Sequence, residues 1–459
     1  MPSQAESKAA ANPGEVEKTN IYNGQGSKED PFVVEFHKDD PEDPMNWSQS
    51  RKWFITTIVT LSVFAVTLTS SAYSVSANEV IEHFNISTEV FIVGLSLFVL
   101  GFAIGPAVWG PLLTILYLTN SLDNLPRRLG GLRRRFCRKP KHYYTPSIAI
   151  LQWHFWWVTI GVVGILGFIF VPETYGPVLL IRKASHLSKT DGNVYISVVE
   201  KSQGKKKPSE VFKRTLLRPW VLLFREPIVL VASLYMAIIY GTVYMFMGAM
   251  PIVYNEDRGW SEGIGGLAFM GIAVGIILGL VYVIYDNNGR YMKLFLSKSA
   301  TAESRLPPAI IGAIALPVGM FAFAWTNHPS IHWSVSIILS TPFGFGCVLV
   351  ILPIINYLID SYTIYAASVL AAAAIFRSIV GAVFPLFTTQ MYNNLGIHWA
   401  TSVPAFLTLV CMPFPFVMYR YGGAPRMKRK YAFEAAEIMK QMQMQQAHVL
   451  DKEKDSPSE

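Results

Sequence analysis

The chain has 459 residues, 51% hydrophobic and 15% charged, where a soluble domain carries about a quarter charged. With a mean hydropathy of +0.33 this excludes a string of ordinary soluble domains and implies one membrane body. The net charge of +8 sits in lysines and arginines between apolar runs, which suits orientation in a bilayer, so nucleic acid is not an expected partner.

The first residues, MPSQAESKAAANPGEVEKTN, are polar and lack the apolar core of a cleavable signal peptide. Residues 1–53 are read as a disordered cytoplasmic N-terminus, and insertion falls to the first apolar run. A crossing needs about 20 apolar residues. Nine stretches meet or nearly meet that length: 54–77, 90–110, 153–171, 228–250, 263–285, 307–325, 334–358, 363–387 and 398–419. Gly271, Gly275 and Gly279, at four-residue spacing, predict a close helix contact in lipid. Trp153, Trp156 and Trp157 gather at a span end, where an interfacial belt is expected. Buried helices of a soluble enzyme would need charged faces that these stretches lack. Cys137, Cys347 and Cys411 show neither paired nor metal-ligand spacing, so no disulfide framework and no metal site is expected.

Loop charges set the orientation. Segment 286–306 carries Arg290, Lys293, Lys298 and Arg305, and the tail after 419 opens YRYGGAPRMKRK. Loops 78–89, 326–333 and 388–397 hold no lysine or arginine, and loop 251–262 has only Arg258. The positive-inside rule therefore places both termini and 286–306 in the cytoplasm. Asn85-Ile86-Ser87 is a glycosylation acceptor in a loop assigned to the outside.

The long segment 172–227 is also basic and should be cytoplasmic. So should the run 127–141, with Arg127, Arg128, Arg133, Arg134, Arg135, Arg138, Lys139 and Lys141. A single crossing by 153–171 cannot leave both flanks inside. Either that stretch does not cross, or an odd number of crossings is missing.

DPMNWSQSRKW (43–53), GLSLFVLGFAIGPAVWGP (94–111) and FVPETYGPVLLIRKA (170–184) are followed by REPIVLVASLYMAIIYGTVYMF, INYLIDSYTIYAASVLAAAAIFRSIVGAVFPLF and MYNNLGIHWATSVPAFLTLVCMPFPF. On these residues, 43–111 and 169–433 resemble the fungal drug:proton antiporter group of the major facilitator superfamily, twelve-helix exporters of drugs and polyamines. The resemblance breaks after WGP and resumes near Trp153, so the family's helices three to five are absent, the odd number that charge parity requires. Stretch 113–152 is then foreign or misread sequence; the other reading, a genuine basic interfacial loop, leaves the parity conflict standing.

The resemblance implies an all-α polytopic membrane protein, the major facilitator fold with an incomplete N-terminal half. Its parts are the incomplete half (54–171), a cytoplasmic central loop (172–227), a six-helix half (228–419) and a cytoplasmic tail (420–459). It implies alternating access by rocking of the two halves around a central cavity. The cavity would be lined by the spans 54–77, 228–250 and 334–358. The candidates on the substrate pathway are Ser70, Ser71 and Tyr73 late in the first span, then Tyr235, Tyr240 and Tyr244. Tyr240 and Tyr244 are one turn apart and share a helix face. Such rings suit amphipathic or cationic substrates, and each is also open to a plain packing role.

Arg377 stands near the centre of 363–387, where a charge costs about 2.5–3.5 kcal/mol by insertion scales. It either bonds Ser340, Thr341 or exposed carbonyls as a structural lock, or faces water in the transport path. Asp360 and Asn356 are expected to cap or hinge the helix pair around the turn 359–362. Asp286, Gly289 and Arg290 resemble the second-half copy of the superfamily's gating loop motif, with Tyr282 in place of its leading glycine; a solvated turn is the other reading.

The resemblance implies protons as the coupling ion, yet no aspartate or glutamate lies inside a predicted span. No P-loop, zinc-ligand cluster or nucleophile elbow is present, so neither an enzyme nor a cofactor is expected. The expected partners are a small-molecule substrate and the lipid bilayer, with the chain a monomer. Its place is the plasma membrane or, alternatively, the vacuolar membrane. A non-transporting receptor or structural membrane protein is the alternative function.

Overall fold

The computed structural model describes residues 22–118 and 167–437, except 23, 28, 37–39, 76–80, 82–84, 168, 169, 175, 204–207, 298, 329, 424–430 and 436. The basic run 127–141 and nearly all of the expected span 153–171 lie outside the described residues. In chain order the elements are strand β1 (Phe32–Val34), helices α1 (Gln49–Val75), α2 (Thr88–Leu118) and α3 (Gly176–Asp191), and strand β2 (Tyr195–Ser197). Then follow helices α4 (Pro208–Arg225), α5 (Pro227–Pro251), α6 (Met270–Asp286), α7 (Pro307–Thr326), α8 (Thr341–Tyr362), α9 (Ala366–Cys411) and α10 (Pro413–Tyr421), with shorter helical turns between them. The chain divides into two compact units, one of Met1–Leu68 with Leu112–Lys213, the other of Thr69–Pro111 with Arg214–Glu459.

In the first unit the segment expected to be disordered is partly ordered. β1 pairs in parallel with β2, Phe32 opposite Tyr195 and Val34 opposite Ser197. Phe32, Val34, Ala184 and Tyr195 close a small core, with Leu180 and Leu187 of α3 against it. Gly26, at φ 75°, turns the chain where Phe32's ring leaves no room for a Cβ. Lys183 of α3 reaches Asp40 at 2.7 Å and Glu42 at 3.0 Å. Burial lowers the pKa of the ammonium, but the two carboxylates outweigh it and raise it above 10.5, so while the carboxylates are ionised the contact contributes fully below 10.5 and is lost as pH rises through the raised value. The DPMNW signature then leads into α1: Asp43 Oδ1 accepts from Met45 N at 2.9 Å, and Arg51 lies 3.9 Å over the Trp47 ring.

In the second unit the expected spans are present as helices, with longer ends. Among the described residues, six stretches are long and apolar enough to cross a membrane: Thr88–Gly105, Pro227–Glu256, Gly266–Leu296, Pro307–Thr326, Trp333–Tyr362 and Ala366–Tyr421. The last has 56 residues, about 84 Å of helix at 1.5 Å per residue, more than twice a bilayer core. Its larger part, α9, is two helices merged across Gly396, whose φ of 72° and ψ of 167° no ordinary side chain adopts, and α10 follows. The expected loop 388–397 is therefore helix up to that one residue. Likewise 286–296, expected in a loop, continues α6 through a wider π-type turn at Asn287–Tyr291 and a short helix to Leu296. The turn expected at 359–362 is the last turn of α8.

The glycines predicted to pack do so. A Cβ on Gly271 or Gly275 would strike the backbone of Ile337 or Thr341, and one on Gly279 would lie 3.0 Å from Val348 Cβ. On the other side of α8, Gly346 admits Leu316 of α7, and Gly319 admits Phe343. Together these observations give an all-α polytopic membrane protein. Gly275→Ala is expected to cost about 1–3 kcal/mol through overpacking, whereas Gly266→Ala, with open space at its Cβ, should be silent. Thermal unfolding of the two variants in detergent checks this; equal melting temperatures would refute the backbone contact.

Candidate functional site

Polar groups in the apolar body of the second unit gather at one interface. Tyr240 and Tyr244 lie one turn apart on α5, rings 5.0 Å apart at 71° and hydroxyl oxygens 3.4 Å apart. Small residues make room for them: a Cβ on Gly381 of α9 would sit 2.8 Å from Tyr240 Cδ1. Tyr244 is buried with Ala382 of α9 and Val99 of α2, and Leu100 and Met247 pack around them. Arg377, one turn before Gly381, places its guanidinium carbon 5.2 Å from the centre of the Tyr240 ring.

The sequence expectation of Ser340 or Thr341 as partners of Arg377 is not met. Ser340 Oγ donates to Ile337 O at 2.7 Å, and the buried Nε of Arg377 has no hydrogen-bond partner. Arg377 is on α9, whereas Ser340 caps α8 from the position just before it. Tyr235 is fully buried away from this group, its ring edge-on to Phe414 at 6.5 Å. Five residues separate it from Tyr240, which turns it about 140° around α5. Ser70, Ser71 and Tyr73 lie on α1, with side chains outside the described residues.

A second cluster lies at the end of α6 and α8. Arg290 donates from Nε and Nη2 to the two oxygens of Asp286, both at 2.7 Å, a bidentate pair within one helix turn. Gly289 has open space beside it. Arg305 donates to Asp360 Oδ2 at 2.9 Å and to Asn287 Oδ1 at 3.0 Å, with its guanidinium 3.5 Å over the Tyr291 ring. The link between helices therefore runs through Arg305 and Asp360, while Asp286 bonds its own helix. Asn356 stands one turn before Asp360, half-buried. Tyr362, two positions after Asp360, donates its hydroxyl at 3.1 Å to Glu226, which is 2% exposed just ahead of α5.

The Major Facilitator Superfamily family model matches residues 145–385, a little over half of the chain. Over 526 aligned positions the chain is 64% identical to the major facilitator-type transporter sorT of Penicillium rubens, covering 100% of both. It is 61% identical to the major facilitator-type transporter sor6 of Hypocrea jecorina, over 93% of this chain and 94% of that one. It is 46% identical to the MFS-type efflux pump MFS2 of Trichophyton rubrum, over 93% and 82% respectively. The chain belongs to the Major Facilitator Superfamily.

Membership makes this a multi-pass membrane protein of a family that transports small molecules, and its relatives are transporters rather than enzymes. At the far end of α5 this member of the superfamily carries a feature the sequence did not signal. Arg258 donates to Asn327 Oδ1 at 3.3 Å, His328 O at 3.1 Å and Ile331 O at 3.3 Å, tying the turn after α5 to the turn after α7. Its partners are about seventy positions away, beyond the reach of any local pattern; only its being the single basic residue of the loop 251–262 marked it. Arg305 was visible merely as one charge of a basic segment. Asn85 sits in an exposed turn at φ 47°, a conformation asparagine tolerates better than most residues. Among the described residues no group of three histidine, cysteine, aspartate or glutamate side chains could hold a metal.

Because Arg305 bridges helices and Arg290 does not, Arg305→Ala should destabilise by about 1–2 kcal/mol and Arg290→Ala by about 0.5 kcal/mol. Chemical or thermal unfolding of the two variants measures the difference, and an equal or reversed order would refute the assignment.

Proposed function

We propose that this chain is of the fungal drug:proton antiporter group, whose complete form exports drugs, polyamines or other small amphipathic compounds by alternating access, and that the 459-residue chain, lacking helices three to five, does not itself export. The observation that carries this reading is the layering of polar groups along α5. Tyr240 and Tyr244 meet Arg377 near the middle, about 20 Å of helix from Pro227, while Arg305–Asp360 and Arg258 make separate links between helices at the two ends. A mid-depth polar site between two breakable links is what alternating access needs. Asp286, Gly289, Arg290, Asn356 and Asp360 are assigned to the inner gate, and Ser70, Ser71, Tyr73 and Tyr235 to the same pathway on the resemblance alone. Proton exchange rests on the same resemblance, and Glu226, the most buried carboxylate among the described residues, is its candidate group. A receptor or structural role is not favoured, since a relative is named as an efflux pump.

The proposed deletion of helices three to five has two supports. If 153–171 crosses the bilayer, the charge parity of the loops requires an odd number of missing crossings. The alignment with the Penicillium rubens transporter spans 526 positions, 67 more than the 459 residues of this chain, so that relative has residues with no counterpart here. Three crossings need about 60 apolar residues. The division at 1–53, 54–171, 172–227, 228–419 and 420–459 belongs to this proposal, with both termini cytoplasmic, which in this shortened chain requires that 153–171 does not cross, with Asn85 outside and glycosylated, and with the plasma membrane as the site, the vacuolar membrane being the alternative.

The test is drug and polyamine efflux from cells making either the 459-residue chain or a version with helices three to five restored. Export by the restored version alone is expected; equal export by the short chain would overturn the deletion, and export by neither would overturn the exporter reading. Topology is read separately: a C-terminal tag should be labelled only after permeabilisation, and a glycosidase should shift the wild-type band but not that of Asn85→Gln.

A further inference from the structure

Resting on the exporter reading, we infer that the Arg377 level is a subsite for the anionic head of an amphipathic substrate, with Arg377 as its charge-selecting residue. A guanidinium stays charged at any physiological pH. Inside the apolar stretches nothing answers that charge: the carboxylates of the described spans (Glu89, Glu256, Asp286, Asp360) all stand at helix ends. Arg377 makes no hydrogen bond or ion pair with a described residue, and its Nε is buried without a partner. A structural lock needs something to lock to, and among the described residues none is present. What holds the side chain is the face of the Tyr240 ring, 5.2 Å away, which leaves the N–H edge of the fork unused.

Within the exporter reading the same geometry argues against its cationic members, polyamines included, which the tyrosines alone would suit. The Tyr240 face is already taken by the protein's own cation, and a second cation beside it would be repelled in a low-dielectric setting. A carboxylate, phenolate or enolate meets the opposite situation. It would receive N–H donors from Arg377 in the planar arrangement that guanidinium offers to paired oxygens, and an O–H donor from the Tyr240–Tyr244 pair, whose oxygens lie 3.4 Å apart. Val99, Leu100, Met247 and Ala382 supply the apolar surroundings for the rest of the molecule. The substrate class is therefore amphipathic weak acids.

Fluorescein and rhodamine 123 share a xanthene frame and carry opposite charge near pH 7.5, which makes them a matched pair of probes. Their binding to the full chain in lipid nanodiscs is followed by fluorescence anisotropy, with empty discs as the blank. Fluorescein should bind at least about tenfold more tightly than rhodamine 123, and Arg377→Gln should weaken fluorescein about tenfold while leaving or improving rhodamine 123. Arg377→Lys keeps the charge without the fork and should fall between. The Gln variant should melt no lower than wild type, since an unanswered charge has been removed; if it fails to fold, the Lys variant decides, and unchanged fluorescein affinity there refutes the fork. Equal affinity for both dyes, tighter rhodamine 123, or fluorescein binding indifferent to both variants would overturn the subsite. Binding with the expected charge preference but no dye export even with helices restored would overturn the exporter reading and spare the subsite. Export that ignores dye charge and Arg377 would do the reverse.

Discussion

The contact of α8 with α6 on one side and α7 on the other is made backbone to backbone, and the six-helix body depends on it. In lipid an apolar side chain gains little by turning from a neighbouring tail to a neighbouring helix, so association comes from close fit. Gly271, Gly275 and Gly279 let α6 lie against Ile337, Thr341 and Phe345, while Gly312 and Gly319 do the same for α7 against Leu349 and Phe343. α8 returns the contact with Gly344 toward Ile272 and Gly346 toward Leu316. The outer face of α6 remains broadly apolar and exposed, with Ile277, Leu278, Val281 and Ile284 turned away from the body.

The same device, used at α5 and α9, makes a site instead of a seam. Gly381 gives way to Tyr240, and Gly241 to the ring of Phe384. Aromatic rings thus enter where backbones would otherwise touch, and their hydroxyls are carried to mid-depth. Arg377 is tolerated there because a ring face lies within reach. Polar partners at the helix ends are of another kind. Arg305 and Arg258 reach side chains and carbonyls of other helices or turns, bonds that can be exchanged for water when helix ends part. A rigid glycine-packed interior with exchangeable ends fits a body that moves as a unit.

What could be read from the residues follows the range of the interactions. Helices and the glycine stripe were legible because their signals repeat within a few residues, as was the shared face of Tyr240 and Tyr244. Helix ends were read too short: apolar count stops at Asp286, but a salt bridge to Arg290 carries the helix onward. Tyr392 and its neighbours looked like loop because polar residues cluster there, yet its hydroxyl lies 2.8 Å from that of Thr401 across the Gly396 turn, which leaves the helices on either side intact. The pairing of β1 with β2 joins strands some 160 positions apart, and no local pattern announces it. Arg377 was found as an anomaly, but its neighbour was not, since the ring it faces is on another helix.

The proposed deletion upstream need not disturb any of this. The glycine contacts that define the body join residues between Gly241 and Phe384, all after the interrupted region. In the described part of the first half, α2 alone takes part in the buried group at Tyr244, through Val99. Folding of the six helices and completion of a transport cycle are therefore separable demands. The first is met by contacts local to residues 227–421. The second needs a pseudo-symmetric mate of comparable extent to rock against, and a chain whose loops break charge parity cannot thread that mate through the bilayer with every basic flank on one side. Loss of an odd number of helices would for this reason be a more severe lesion than loss of an even number: it would remove a wall and, if every remaining span crossed, would also reverse the side on which everything after it must enter, setting the basic segments 172–227 and 286–306 against the preference of the first span.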